Sequence, residues 1–320
     1  MLDMVTPVAT KTKISIVTPC FNEEAGIAEC VSAVRAVMAT LPAYAYEHIV
    51  IDNSSTDTTV AILRKIAMRD ERVKIIVNAR NFGPERSPYH AILASSGDIV
   101  IPVLADLQTP PAIIPQMIAL WEGGAKVVVA VKKASVEPLP WRVARKAYYA
   151  GMKRLSKVEQ IPHYMGYGLY DRCVIDALRD LNEPEPYFRG LIGEVGFSRA
   201  TVEYDQPARE HGRSSYTLAS LAGHAMLGLS TSSRAPLRLM TAIGFATSCL
   251  SFLCGLAYFI AKVLFWNAIP VGIAPLLIAM FFLGSVQLFA IGIIGEYIGL
   301  LLSYARRFPL VIEKERINFD

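Results

Sequence analysis

Ile14-Ser15-Ile16-Val17-Thr18-Pro19 is followed at once by Cys20-Phe21-Asn22-Glu23-Glu24, and this junction decides the fold class. Six residues rich in β-branched side chains, ending at a proline, read as a short strand buried on both faces. Residues 25–40 then read as a helix, and His48-Ile49-Val50-Ile51-Asp52 as the next strand. Residues 57–70 give a second helix, Lys74-Ile75-Ile76-Val77 a third strand, 98–104 a fourth and 126–131 a fifth. Strands alternating with helices of ten to fifteen residues imply crossover connections and an α/β domain with a mostly parallel sheet.

Ligands of such sheets bind at the carboxyl ends of the strands. The segments there are Pro19-Cys20-Phe21-Asn22-Glu23-Glu24, Asp52-Asn53-Ser54-Ser55-Thr56-Asp57 and Ala105-Asp106-Leu107-Gln108. Neither a GxGxxG fingerprint nor a GxxxxGK[ST] loop is present, which removes dinucleotide and P-loop chemistry. Acidic strand ends without a glycine cradle suit a base-and-ribose pocket, with a divalent cation neutralising a diphosphate. Asp106 and Gln108 offer the oxygen ligands that Mg²⁺ or Mn²⁺ prefers. A plainer role stays open for the second segment, because Ser54, Ser55 and Thr56 could cap the helix beginning near Asp57.

Charge is distributed unevenly. Between 239 and 305 the only formal charges are Lys262 and Glu296. The stretches 239–261 and 273–295 are uncharged, and each exceeds the roughly 20 helical residues needed to cross a hydrocarbon core. Trp266 to Gly272 supplies an interfacial aromatic and helix breakers between them, so a helical hairpin is expected. Arg234, Arg238, Arg306 and Arg307 flank its outer ends, which predicts that both termini lie in the cytoplasm. Residues 218–233 are apolar but interrupted, and read as an interfacial helix or a core helix. The expected organisation is a catalytic domain over 1–216, a juxtamembrane helix over 217–236, a two-helix hairpin over 237–305 and a tail over 306–320. Gly292, Gly295 and Gly299 could pack the hairpin against copies of itself as a homo-oligomer.

The net charge of +4 and the absence of a dense Lys/Arg run argue against nucleic acid as a partner. The five cysteines show no CxxC spacing, so reduced thiols are expected. Residues 1–12 lack the apolar core of a signal peptide.

Together these stretches resemble the polyprenyl-phosphate glycosyltransferases of glycosyltransferase family 2, which include bacterial undecaprenyl-phosphate sugar transferases and dolichol-phosphate mannose synthase. Val17 to Glu24 is similar to the family's VPxYNEE, and Ile51 to Asp57 to its VDDGSTD. Arg80-Asn81-Phe82-Gly83 matches RNFG, and Ala105 to Pro111 matches DADLQxPP. Tyr170-Asp171-Arg172, Arg209 to Tyr216, Ala235 to Arg238, Gly295 to Gly299 and Arg307 to Pro309 correspond to LLDR, RxxGxSxY, APLR, GEYIG and RxP.

The resemblance implies a GT-A fold at the inner (plasma) membrane. Its activity would be transfer of a sugar from a nucleotide diphosphate sugar to a polyprenyl phosphate in the lipid bilayer, for cell-envelope glycans. By position, Pro19, Phe21, Glu23, Asp52 and Ala105 would hold the nucleotide, and Asp106 and Gln108 the metal. Asp106 and Arg209 would be catalytic, with Arg209 and Ser215 on a loop over the donor phosphates and the acceptor. Lys132, Lys133, Arg142, Arg145 and Lys146 form a basic strip suited to the lipid phosphate.

Four departures stand out. Leu104 occupies the place of the family's first DxD aspartate, Phe21 replaces a Tyr, Asn53-Ser54 replaces Asp-Gly, and Gly83-Pro84-Glu85-Arg86-Ser87-Pro88 differs from the usual Lys and small residues. The first leaves a catalytically impaired membrane scaffold as a rival reading. A processive polysaccharide synthase is a weaker rival, since the chain has no QxxRW motif and two spans cannot enclose a polymer.

Overall fold

The computed structural model describes residues 11–133, 164–207, 235–264, 273–306 and 308–319. The chain falls into two compact units, one carrying a sheet and the other two long helices.

The sheet unit begins with β1 (Lys13–Cys20), α1 (Ile27–Ala39), β2 (Ala45–Asp52), α2 (Thr59–Ala67), β3 (Val73–Asn78), α3 (Gly83–Ala94) and β4 (Ile99–Pro102). It continues through α4 (Ile114–Glu122), β5 (Val127–Lys132), β6 (Tyr164–Asp171), α5 (Arg172–Leu181), α6 (Phe188–Glu194) and β7 (Arg199–Tyr204). The strand order is β7-β5-β6-β4-β1-β2-β3-β8, where β8 is Glu313–Ile317.

β1 pairs in parallel with β2 and β4, and β2 with β3. β6 is antiparallel to both β4 and β5, so β5 and its parallel partner β7 run in the same direction as β1–β4. Only β6 and β8 are reversed, and the expected parallel character holds for the other six. Consequently the chain leaves β1, β2, β3, β4, β5 and β7 at one common end of the sheet.

Both faces of the sheet are covered, which is why these strands read as continuous apolar runs. Val17, Ile49, Ile51, Ile76 and Val100 pack with Tyr89 and Ile92 of α3 and with Val174, Ile175 and Leu178 of α5. The alternate residues Ile14, Ile16, Ile99 and Ile101 meet Cys30, Val34 and Met38 of α1 and Ile114 and Met117 of α4. Leu63 and Ala67 of α2 cover Val50 and Ile75.

Several boundaries differ from expectation. The helix expected from residue 25 starts at Ile27, because Gly26 and Ile27 donate their N–H groups to the Glu23 carbonyl in a preceding turn. The helix expected from residue 57 starts at Thr59. There the cap residue is Thr58, with no side-chain cap bond; Asp57 before it accepts the Thr59 N–H on Oδ1 at 3.0 Å, while Ser55 and Thr56 bond elsewhere. The fourth strand is shorter than 98–104, ending at Pro102 just ahead of a turn from Leu104 to Leu107. The segment expected only as a tail supplies β8, which pairs antiparallel with β3.

In the second unit, α7 (Ala235–Leu264) and α8 (Ile273–Arg306) contact one another. Among the described residues, Phe282–Arg306 is long and apolar enough to cross a membrane, whereas α7 contains the shorter apolar stretch Met240–Cys254. Phe245, Phe252, Leu288, Phe289 and Leu301 are exposed, an apolar surface of the kind lipids cover. The proposed juxtamembrane helix at 218–233 lies outside the described residues.

Candidate active site

Cys20 and Asp52 are register partners at the ends of β1 and β2, so the next segments of the two strands start side by side. Hydrogen bonds join these segments. Asn22, at φ 54, donates its N–H to Ser55 Oγ at 2.8 Å, and its Oδ1 accepts from the Thr56 N–H at 2.8 Å. The Glu23 N–H donates to Thr59 Oγ1 at 3.0 Å, and Glu24 Oε2 accepts from the Thr58 N–H at 3.0 Å. Two polar loops thus become one rigid rim, leaving Phe21 exposed upon it.

Asp52 is fully buried. Both its oxygens bond Ser55, Oδ2 accepting the backbone N–H at 2.9 Å and Oδ1 the hydroxyl. The intervening Ser54 sits at φ 67, a left-handed conformation costly for a residue with a Cβ and natural to the glycine the resemblance places there.

The third segment leaves β4 next to β1, where the Val103 N–H donates to the Val17 carbonyl at 2.8 Å. A tight turn follows. The Leu107 N–H donates to the Leu104 carbonyl at 3.1 Å, Leu107 adopts φ 56, and Asp106 Oδ1 accepts the Gln108 N–H at 3.1 Å. Buried Thr109 closes it by accepting the Leu104 N–H at 2.7 Å. The Cys30 thiol touches the Leu104 carbonyl, and burial pushes its pKa up to about 12, with Asp106, Glu23 and Glu29 adding to the effect. The Cys30 thiol of α1 thus lies against the turn of the third segment. This convergence assembles a polar, acidic rim around the ends of three parallel strands.

The Glycosyl transferase family 2 model matches residues 15–175, the stretch that builds this rim. The chain belongs to glycosyltransferase family 2. Its GT-A-like mixed sheet is followed by a match to the GtrB C-terminal hairpin over 235–301. The glycosyltransferase is 34% identical to a bactoprenol glucosyl transferase of Shigella phage SfV over 305 residues, 94% of this chain and 98% of that protein. It is 31% identical to a prophage bactoprenol glucosyl transferase homolog of Escherichia coli K12, again over 94% and 98%. Among solved structures, mannosyl-3-phosphoglycerate synthase from Rubrobacter xylanophilus matches with a TM-score of 0.47 and 15% identity, over 73% of this chain and 75% of that one.

Within the glycosyltransferase, Pro19, Phe21, Glu23, Asp52, Ala105, Asp106 and Gln108 gather at one end of the sheet. Lys132 and Lys133 lie at the same end, at the close of β5, where Lys133 pairs with Asp205 at 3.0 Å. Arg209, Ser215, Arg142, Arg145 and Lys146 fall outside the described residues. The Tyr170-Asp171-Arg172 motif lies at the opposite end, since Asp171 is the register partner of Ile99 at the start of β4. There Asp171 accepts from Trp121 Nε1 at 2.7 Å and Lys126 Nζ at 2.8 Å, and Arg172 Nε donates to the Gly97 carbonyl at 2.7 Å. That motif ties the fold together.

Two features escaped the sequence reading. Arg189 of α6 reaches Met165 near the start of β6 and stacks on the Tyr187 ring at 5.3 Å, adding a cation at the rim end of the sheet. Asn53 binds the second segment to the chain after β3. The FRG run around Arg189 carried no spacing signal, and nothing local marks an asparagine as a clamp.

Proposed function

We propose that this glycosyltransferase moves a sugar from a UDP- or GDP-linked donor to polyprenyl (undecaprenyl) phosphate at the cytosolic membrane face, with inversion at the anomeric carbon. The observation that carries this reading is the similarity to bactoprenol glucosyl transferases, which runs over 94% of the chain and includes sheet and hairpin alike. Topology supports the membrane part. The chain leaves the sheet before α7 and rejoins it as β8 after α8. A chain that returns to the same sheet crosses a bilayer an even number of times, which favours two spans with both ends on one face.

Pro19, Phe21, Glu23, Asp52 and Ala105 hold the nucleotide in this reading. Asp106 and Gln108 are the side chains that would hold Mg²⁺ or Mn²⁺. They supply one carboxylate and one amide carbonyl, a set that fits a cation drawing its other ligands from the diphosphate and water. When bound, such a cation offsets the charge that develops on the departing diphosphate.

The acceptor is a phosphate monoester with a second pKa of about 6, already mostly dianionic near neutrality. The chain therefore has little need of a general base, and its residues act mainly by positioning. An acceptor phosphate oxygen forms the new bond to the anomeric carbon. The bond from that carbon to the diphosphate breaks, and the nucleoside diphosphate keeps the electron pair. Lys132 and Lys133 at the end of β5, with Arg142, Arg145, Arg209 and Ser215, lower the repulsion between the two anions.

The test is Asp106→Ala. Transfer from nucleotide sugar to undecaprenyl phosphate should fall at least about a hundredfold, the scale of a lost electrostatic stabiliser, while membrane extraction and melting stay unchanged. Near-normal transfer by this variant would remove Asp106 from the site.

A further inference from the structure

Arg86 lies near the start of α3, in the stretch 83–88 where the chain departs from the resemblance, and forms an ion pair with Glu185 at 2.5 Å. The two side chains are only 20% and 27% exposed, so water and salt screen this pair less than an open surface pair. Glu185 stands between Pro184 and Pro186, whose rings fix φ and stiffen the segment. Its N–H also donates to Glu183 Oε1 at 3.2 Å. One ion pair to α3 therefore holds a stretch of chain that has few backbone states of its own.

That stretch leads directly into α6. Phe188 is 8% exposed, its ring 6.2 Å from Tyr89 of α3 and 5.1 Å from Tyr170 of β6. Arg189 follows. Its guanidinium lies over the Tyr187 ring at 5.3 Å, and Nη1 reaches Met165 Sδ at 4.0 Å. It also stands close enough to Glu85, in the first turn of α3, to oppose the rise that burial gives that carboxyl's pKa.

Register places these groups on the rim. Tyr164 at the start of β6 pairs with Val131, so Met165, and Arg189 with it, stands at the end of the sheet where Lys132 and Lys133 close β5. In the order β5-β6-β4-β1-β2, β6 is three strands from β2 and Asp52, roughly 14 Å at the usual strand spacing. The Asp106 turn that follows β4 lies between them. An inverting transfer needs its acceptor on the face of the anomeric carbon opposite the leaving group. With the nucleotide at β1 and β2 and the diphosphate at β4, the acceptor side is β6. We infer that Arg86 is a positioning residue for the acceptor phosphate, its ion pair with Glu185 locking the 183–189 segment onto α3 and holding Arg189 on the rim as a cation for that phosphate. This inference rests on the acceptor reading above. A guanidinium beside Met165, which is 62% exposed, suits an amphiphile whose phosphate carries an isoprenyl chain.

The experiment measures KM for undecaprenyl phosphate, KM for the donor, and kcat on the purified full-length chain. Arg86→Ala should raise the acceptor KM about tenfold, equivalent to roughly 1.4 kcal/mol, with donor KM within about twofold of wild type. Glu185→Gln, nearly the same shape, should do likewise and keeps the test open if Arg86→Ala fails to fold. Reversing the pair, Arg86→Glu together with Glu185→Arg, should bring the acceptor KM back to within about threefold of wild type. Arg189→Ala should raise the acceptor KM at least as far and lower kcat as well. A purely structural pair would move the two KM values together or neither, and would show itself only in the melting temperature. An unchanged acceptor KM in Arg86→Ala and Glu185→Gln, a donor KM that rises by the same factor, or no rescue by the reversed pair would overturn the positioning role while leaving the acceptor reading intact. A wild-type chain that transfers no sugar to undecaprenyl phosphate would instead overturn that reading and the inference with it.

Discussion

Leu104 alters the chemistry of the rim more than any other single residue. Its backbone is fully used, the N–H by Thr109 and the carbonyl by Leu107 and Cys30, but its side chain brings no oxygen where the resemblance expects a carboxylate. With Asp106 and Gln108 alone, a divalent cation would have to find most of its ligands on the diphosphate. Leu104 is 39% exposed, so a carboxylate there would not meet the burial penalty of a core position. Leu104→Asp should therefore bind Mn²⁺ about tenfold more tightly than wild type in the absence of nucleotide. Loss of the free Mn²⁺ electron-paramagnetic-resonance signal on titration reads this directly, and equal titrations for the two chains would contradict it. At this scale the residue types Asp52 and Asp106 were legible because the first ends a recognisable strand and the second lies in the turn just after one. Asn53 was not, since its role depends on partners 25 to 30 residues away in sequence.

At the scale of elements, β8 is the least foreseen part of the fold. Glu313-Lys314-Glu315-Arg316-Ile317 alternates charge with little apolar content, so it reads as a solvated tail. Its place is set by specific partners instead. The Ala79 N–H donates to the Ile312 carbonyl at 2.8 Å, Glu313 meets His90 of α3, and Glu315 pairs with Arg64 of α2. Asn318 Nδ2 donates to the carbonyls of Ala67 and Val73 at 3.0 and 2.9 Å. Removing residues 308–320 should destabilise the sheet unit by about 2–4 kcal/mol, several hydrogen bonds at roughly 1 kcal/mol each. It should also promote association through the uncovered edge of β3. Thermal unfolding with size-exclusion chromatography in detergent checks both, and an unchanged melting temperature would contradict the account. The first five strands were legible because burial on both faces leaves an apolar run. β6 and β7 were harder to see, as glycine and tyrosine in Tyr164–Asp171 and charge in Arg199–Tyr204 break that pattern.

For the whole molecule, the order of segments carries the argument. Six strands pointing one way bring the acidic segments, Lys132 and Lys133 to a common end of the sheet. The chain then passes through two long helices rich in exposed apolar residues before returning to that sheet. Under the proposed reading, such helices would hold the site of an enzyme acting on a lipid phosphate at a bilayer. The direct measurement incubates the purified full-length chain with undecaprenyl phosphate, Mg²⁺ or Mn²⁺, and a panel of radiolabelled UDP- and GDP-sugars. It then follows label into the lipid phase. The account predicts label in an acid-labile polyprenyl-phosphate sugar for one donor, dependent on both the lipid phosphate and Asp106. Transfer to a water-soluble acceptor with none to the lipid would contradict it.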